Sequence, residues 1–237
     1  MKGRFLIDGQ LLGSKNMARD EALLVCRTQP TFRIYRWLRP TLSLGYFQKH
    51  NELPVTKVLS RGCDIVRRAT GGKAILHEHE ITYSLCAPEK DLLSHGPGKA
   101  MNEIHQLLAQ ELSQESKKEV TIRKENNLLS DREKSAWCFE DSSPLDLCLG
   151  EKKLLGSAAR RQKGWILFHG SLVIKTPEET PGVASLGFEP NFDNICSQLG
   201  RKLNIEFKKE QWTAEELEIA DAIEKDKYQQ EDYTYKR

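Results

Sequence analysis

The sequence has no closely paired cysteines, no long apolar run, no strong excess of either charge and no glycine-rich phosphate loop, and each absence closes off a class of function. Six cysteines lie scattered through 237 residues without one C-x-x-C pair. Neither a zinc knuckle nor a thioredoxin-like redox motif is expected, and the spacing does not suit a small disulfide scaffold. A reduced, cytoplasmic protein is the simplest expectation. No apolar stretch approaches the roughly 18 residues of a membrane span, and Met1 to Gln10 lacks the apolar core of a secretory signal. A net charge of +2 argues against a dedicated nucleic-acid binder, whose domain carries a large basic excess. The phosphate-loop spacing fails because Arg67 stands where its first glycine should be, and no G-x-G-x-x-G occurs.

No internal repeat or low-complexity linker divides the chain, so one mixed α/β domain over residues 1–237 is expected, helix first and helices last. The spacing of Ala18, Ala22 and Val25 predicts a helix over 16–27, capped by Ser14 or Asn16. Strands are expected at TFRIYRW, TLSLGY, DIVRR, KAILH and EITYSL, the last alternating Ile81, Tyr83 and Leu85 with polar neighbours. A short helix is expected near 54–61. Met101, Ile104, Leu107, Leu108 and Leu112 share one face of a helix over 99–113. Gln114 to Lys134 reads as a polar surface loop. Strands follow near 145–149, 153–159 and 165–174, with a turn at LGEK. Two helices end the chain, the second opening on the capping-box pattern Thr213-x-x-Glu216.

Three segments carry chemistry. In RRATGGKAILHEHEITYSL, residues 67–85, two glycines between strands allow close backbone approach, and Arg67, Arg68 and Lys73 suit an anionic or carbonyl-bearing ligand. By composition alone an ordinary β-turn is the better explanation of them. His77 and His79 share one strand face at most, and without a third ligand no metal is expected. In residues 135–164, Cys138 precedes a Lys-Lys pair at a hairpin. A lysine ammonium beside a thiol favours the thiolate, the nucleophilic form; the bland alternative is a packed cysteine and two solvated lysines. In WILFHGSLVI, His169 sits in a buried strand, where a hydrogen-bonded core histidine is the commoner case.

In order, NMARDEALL, PTLSLGYFQ, RRATGGKAILHEHEITYS, CFEDSS, GSAARRQKGWILFHGSL and YTYKR resemble the biotin/lipoate protein ligase superfamily over nearly the whole chain. The likeness is closest to its cysteine-dependent octanoyltransferases. That resemblance implies an α/β (α+β) catalytic domain, a mixed β-sheet core flanked by helices. It implies octanoyl transfer from octanoyl-acyl carrier protein to a lysine of a lipoyl-domain protein, such as glycine cleavage H protein or a 2-oxoacid dehydrogenase E2. Cys138 would carry the thioester and Lys153 would activate it, with no cofactor. The acyl tunnel would be lined by Arg67, Arg68, Gly71, Gly72 and Lys73, by Gly156, Ser157 and Ala158, and by His77 and His169. ATP-using lipoate ligases usually carry a third glycine where Lys73 stands, and they tend to need an accessory domain. The alternatives are such a ligase, an amidotransferase between lipoyl-domain proteins, or a non-catalytic module that holds a lipoyl domain or carrier protein. Some of Lys152, Arg160, Arg161, Lys163, Arg67, Arg68 and Lys73 are expected to frame the tunnel mouth as a basic rim that steers an acidic donor, with at most one of Arg160 and Arg161 joining it, since neighbours along a strand face opposite ways.

Overall fold

The computed structural model describes residues 1–53, 55–92, 96–123, 135–140, 143–178 and 180–237. The first element is a strand, β1 (Lys2–Leu11), not the expected helix. Its charges disguise it in sequence: Arg4 and Asp8 are buried. Each is buried because it is paired. Arg4 grips Glu216 through two nitrogens at 2.7 and 2.5 Å, and Asp8 accepts from Arg33 and Arg19 at 2.7 Å each. A buried charge is tolerable only with such partners.

Helix α1 (Gly13–Cys26) follows. Its N-cap is Leu12, without a side-chain cap. Ser14 donates instead to Glu224, and the Asn16 amide donates to the Leu11 and Arg36 carbonyls; tertiary partners have claimed both expected caps. Then come β2 (Thr31–Trp37), β3 (Thr41–Leu44), α2 (Val55–Ser60), β4 (Asp64–Arg67), β5 (Ile75–His77) and β6 (Glu80–Pro88). After the short α3 (Glu89–Leu92), α4 (Pro97–Ser116) buries all five apolar residues of its predicted face. The expected loop after it begins only past α4 and contains β7 (Val120–Ile122); its residues 124–134 lie outside the described residues. The chain continues through β8 (Leu147–Leu149), β9 (Lys152–Gln162), β10 (Trp165–Val173), α5 (Phe192–Leu203), β11 (Glu206–Lys209), α6 (Ala214–Ile223) and α7 (Glu231–Thr234). The capping box at α6 is present in both directions.

Eight strands form one mixed sheet in the order β11-β1-β2-β6-β10-β9-β8-β7, and β4-β3-β5 form a second. Side chains alternate across β2. Phe32 and Ile34 join the main core under α4 and α5, whereas Tyr35 and Trp37 face α1. Both faces of the sheet's centre are therefore covered, and β6 is buried from Glu80 to Ala87 rather than half-solvated. Its polar residues find partners inside: Thr82 accepts from the Trp37 indole at 2.9 Å, and Ser84 donates to Asp20.

Asp20 anchors this second face. It accepts from Arg33 at 2.6 Å, Tyr35 at 2.9 Å, Ser84 at 2.9 Å and His169 at 3.2 Å. Burial alone would raise its carboxyl pKa, but the Arg33 and His169 interactions outweigh that and hold it below the ordinary value. A depressed folded value means stability that is full above the unfolded pKa, near 4, and lost as pH falls through the folded one. Asp20→Asn should cost about 2–3 kcal/mol, since it removes one of the two carboxylates that pair buried Arg33 and leaves Asp8 as the other. Chemical denaturation at pH 7 and pH 3 checks this; the cost should shrink at the lower pH.

Candidate active site

The large sheet, α1 and the small sheet enclose a narrow, largely apolar cleft. Its floor comes from Gly156, Ser157 and Ala158 of β9, His169, Gly170 and Ser171 of β10, Thr82 of β6, and Tyr35 and Trp37 of β2. Met17, Ser43, Arg68, Gly72, Ile75, His77 and Cys138 complete the wall. The cleft's empty volume is about 450 Å³, in the size range of small-molecule sites, and its largely apolar lining suits an acyl chain.

Cys138 opens a single 3₁₀ turn, Cys138–Glu140. That turn is tied to the small sheet by a bridge between Ala74 and Trp137 and by the Cys138 amide donating to the Ala74 carbonyl at 2.8 Å. Lys153 approaches from the β8–β9 hairpin, whose register shifts between Leu147 and Cys148. Gly150, at φ +60°, takes the tight turn that Glu151 could not. Lys152 is left exposed while Lys153 is 1 % exposed. The Lys153 ammonium donates to the Cys138 carbonyl at 2.7 Å, lies 3.7 Å from Cys138 Sγ, and pairs with Asp146 at 2.7 Å. Burial pushes its pKa down, but the Cys138 sulfur and the Asp146 carboxylate together raise it above the ordinary lysine value. The ammonium thus stays charged at neutral pH, a fixed positive group beside the sulfur rather than a base. Gly156 makes room for it: a Cβ there would stand 2.9 Å from Lys153 Cε.

The basic residues of the glycine loop serve the backbone. Arg68 donates to the carbonyls of Ser43, Gly71 and Lys73 at 2.7–2.8 Å. Burial pushes its pKa down to about 10, against the opposing pull of Cys138, so it remains protonated. Arg67 donates to Gly45, Gln48 and Thr234 carbonyls, and Lys73 to Ser135. Arg67, Gly71 and Lys73 are absent from the cleft lining; Arg68 and Gly72 belong to it. A Cβ on Gly45 would meet the Gly72 carbonyl at 1.7 Å, so the loop folds flush against β3 only because Gly45 has none.

The two histidines are held from behind. His77 donates through Nδ1 to Glu80 at 2.5 Å and stacks on Trp37, centroids 3.8 Å apart. Burial lowers its pKa despite Glu80. His169 Nδ1 faces the Asp20 carboxylate and so donates to it, and Nε2 lies 2.6 Å from the Thr70 hydroxyl. Ser157 bridges Tyr83 and His105 at 2.8 Å each. The expected basic rim does not form as one patch. Arg160 reaches the Ala69 carbonyl, Arg161 pairs with Glu89 on the outside, and Lys152 and Lys163 stand at opposite ends of β9, roughly 30 Å apart at strand rise.

Sequence reading missed Asp146, Thr70, Asp20, Trp37 and Tyr35. Folding the hairpin about Gly150 would have brought Asp146 near Lys153. Nothing in the spacing announces Asp20, 149 residues from His169.

Comparison with known proteins supports this reading of the fold. The lipoyl protein ligase A/B catalytic domain matches residues 13–214. Octanoyltransferase LipM of Lysinibacillus sphaericus is 32% identical, covering 98% of each chain; that of Clostridioides difficile is 30% identical over 95% of each. A lipoate-protein ligase A solved with bound ATP superposes with a TM-score of 0.79 at 22% identity over 99% of each chain. The archaeal bipartite lipoate protein ligase of Thermoplasma acidophilum, studied with its E2 lipoyl domain, gives 0.74 at 21%, covering 99% of this chain and 96% of its own. At those identities the likeness is one of fold alone. The domain match and the full-length relatives agree: the chain belongs to the lipoyl protein ligase A/B catalytic-domain family, with octanoyltransferases among its relatives.

Proposed function

We propose that this protein transfers an octanoyl group from octanoyl-acyl carrier protein to a lysine of a lipoyl-domain protein, by way of a thioester on Cys138. The observation that carries the proposal is the charged, buried Lys153 ammonium 3.7 Å from Cys138 Sγ, at the wall of a largely apolar cleft. The Cys138 thiolate attacks the donor's thioester carbonyl. The carrier's C–S bond breaks, and its thiolate leaves and takes up a proton. One thioester replaces another, so the step is near balance and needs no nucleotide. The acceptor's neutral lysine amine then attacks the acyl-enzyme carbonyl, the carbon–sulfur bond to Cys138 breaks as the amide forms, the nitrogen's surplus proton passes to solvent, and the Cys138 sulfur is released beside the Lys153 ammonium. The relatives' name, octanoyltransferase, supports the acyl group.

The test is intact mass spectrometry after incubation with octanoyl-acyl carrier protein without ATP. One octanoyl group should appear on the enzyme, map to Cys138 and move to a lipoyl domain added later. The protein should also show no nucleotide-dependent binding of lipoate by calorimetry. Formation of lipoyl-adenylate from ATP and lipoate would instead make it a ligase, like the fold neighbour solved with ATP.

A further inference from the structure

Three buried side-chain atoms lack a hydrogen-bond partner among the described residues: Arg67 Nη2, Arg160 Nε and the Tyr233 hydroxyl. An unsatisfied buried donor is costly, more so when charged, and native structures hold few. These three belong to one neighbourhood. Arg160 Nη1 holds the Ala69 carbonyl at 2.8 Å and Arg67 Nε holds that of Thr234, the residue after Tyr233, at 2.9 Å. Both guanidinium groups act electrostatically on the Tyr233 phenol. The Lys236 ammonium lies 4.0 Å from the ring centroids of both Tyr46 and Tyr233. Glu21, the carboxylate that acts on Tyr233, is already engaged by Lys227 and Tyr228. Donors in excess, positive charge in excess and acceptors in deficit suit one class of ligand, an anion with several oxygens.

The position narrows the choice. Arg160 holds the Ala69 carbonyl of the glycine loop, Arg67 stands at the start of that loop, and three residues beyond Ala69 Gly72 lines the cleft together with Cys138. Three residues span at most about 11 Å. A carrier-bound octanoyl thioester hangs from a phosphopantetheine arm whose phosphate lies farther than that from the sulfur, so the arm can cross the loop with its thioester in the cleft.

Resting on the acyl-transfer reading above, we propose that Arg67, Arg160, Tyr233 and Lys236 bind the phosphate of the donor's phosphopantetheine arm. The cluster then selects carrier-presented acyl groups over free thioesters, and it holds the donor by its arm before Cys138 attacks.

The experiment compares octanoyl-pantetheine with octanoyl-4′-phosphopantetheine as donors to wild type, Arg160→Gln, Tyr233→Phe and the double variant, each first checked by thermal melt. Arg67 is spared because its other nitrogens hold the fold. Wild type should prefer the phosphorylated donor in kcat/KM by about ten- to a hundredfold, mainly through KM, as charge-assisted hydrogen bonds of this kind warrant. The ratio should fall toward one in the double variant, and inorganic phosphate should compete only against the phosphorylated donor. Equal use of the two donors by wild type, or a ratio that survives both substitutions, overturns the proposal. ATP binding that depends on Arg160 would overturn it too, by giving the cluster to a nucleotide. Acylation of Cys138 reads the two ideas separately. If both donors acylate it equally, only the phosphate assignment fails; if neither does, the acyl-transfer reading itself is wrong.

Discussion

Cys138→Ser is expected to abolish carrier-dependent octanoyl transfer, lowering kcat by roughly 10³- to 10⁶-fold, the range seen when a covalent nucleophile is lost. The substitution is small and the fold should survive it. The Cys138 backbone already makes the contacts that place the turn, its amide to Ala74 and its carbonyl to Lys153. What changes is the reacting atom. A serine hydroxyl stays protonated beside Lys153, and no base stands ready to take its proton, because the Lys153 ammonium is itself charged. Any oxyester that forms slowly would also be a poorer acyl donor to an amine than a thioester. Intact mass and a gel-shift assay of an added lipoyl domain read both halves of the reaction. Normal turnover by the variant, or acylation mapped to another of the six cysteines, would end the Cys138 mechanism.

Replacing Lys153 by alanine should slow transfer by about 10²- to 10³-fold. Two unit charges about 4 Å apart interact by about 4 kcal/mol at an effective dielectric constant of 20, which bounds the effect from above at roughly 10³. Alkylation of Cys138 by iodoacetamide should slow near neutral pH, because the ammonium 3.7 Å from the sulfur is gone. The single variant also leaves the buried Asp146 carboxylate, 2.7 Å from Lys153 Nζ, without its cation. That alone destabilises by several kcal/mol. The double variant Lys153→Ala/Asp146→Asn separates the causes: stability should return while alkylation stays slow. Alkylation that recovers along with stability would mean Lys153 serves the fold and not the sulfur.

Much of the architecture was legible in local pattern. The apolar face of α4 runs at helical spacing, the Thr213–Glu216 box announces α6, and β2, β6 and β10 carry β-branched and aromatic residues, whereas β7 lies in the segment that reads as a loop. These signals work because each element must bury one stripe or face, and period records which. β1 was not legible for the same reason inverted. Its Arg4 and Asp8 read as surface until Glu216, Arg33 and Arg19 supply the opposite charge, and those partners lie up to 212 residues away.

At the site, the family resemblance carried by the ordered motifs pointed to Cys138, Lys153 and the glycine loop; residue type alone favoured a packed cysteine, solvated lysines and an ordinary turn. Only the tertiary structure decided what each does there. The bulged hairpin turns Lys153 inward and Lys152 outward, and the two loop arginines take up backbone carbonyls, one of them facing the cleft and the other turned away. His169 of β10 joins Asp20 of α1 and Thr70 of the glycine loop into one chain of hydrogen bonds. Sequence by itself determined the chemical inventory and the periodicity of the elements, because those are properties of neighbours along the chain. Distances between side chains, burial and the resulting charge states depend on which strands pair and in what register, and those belong to the fold.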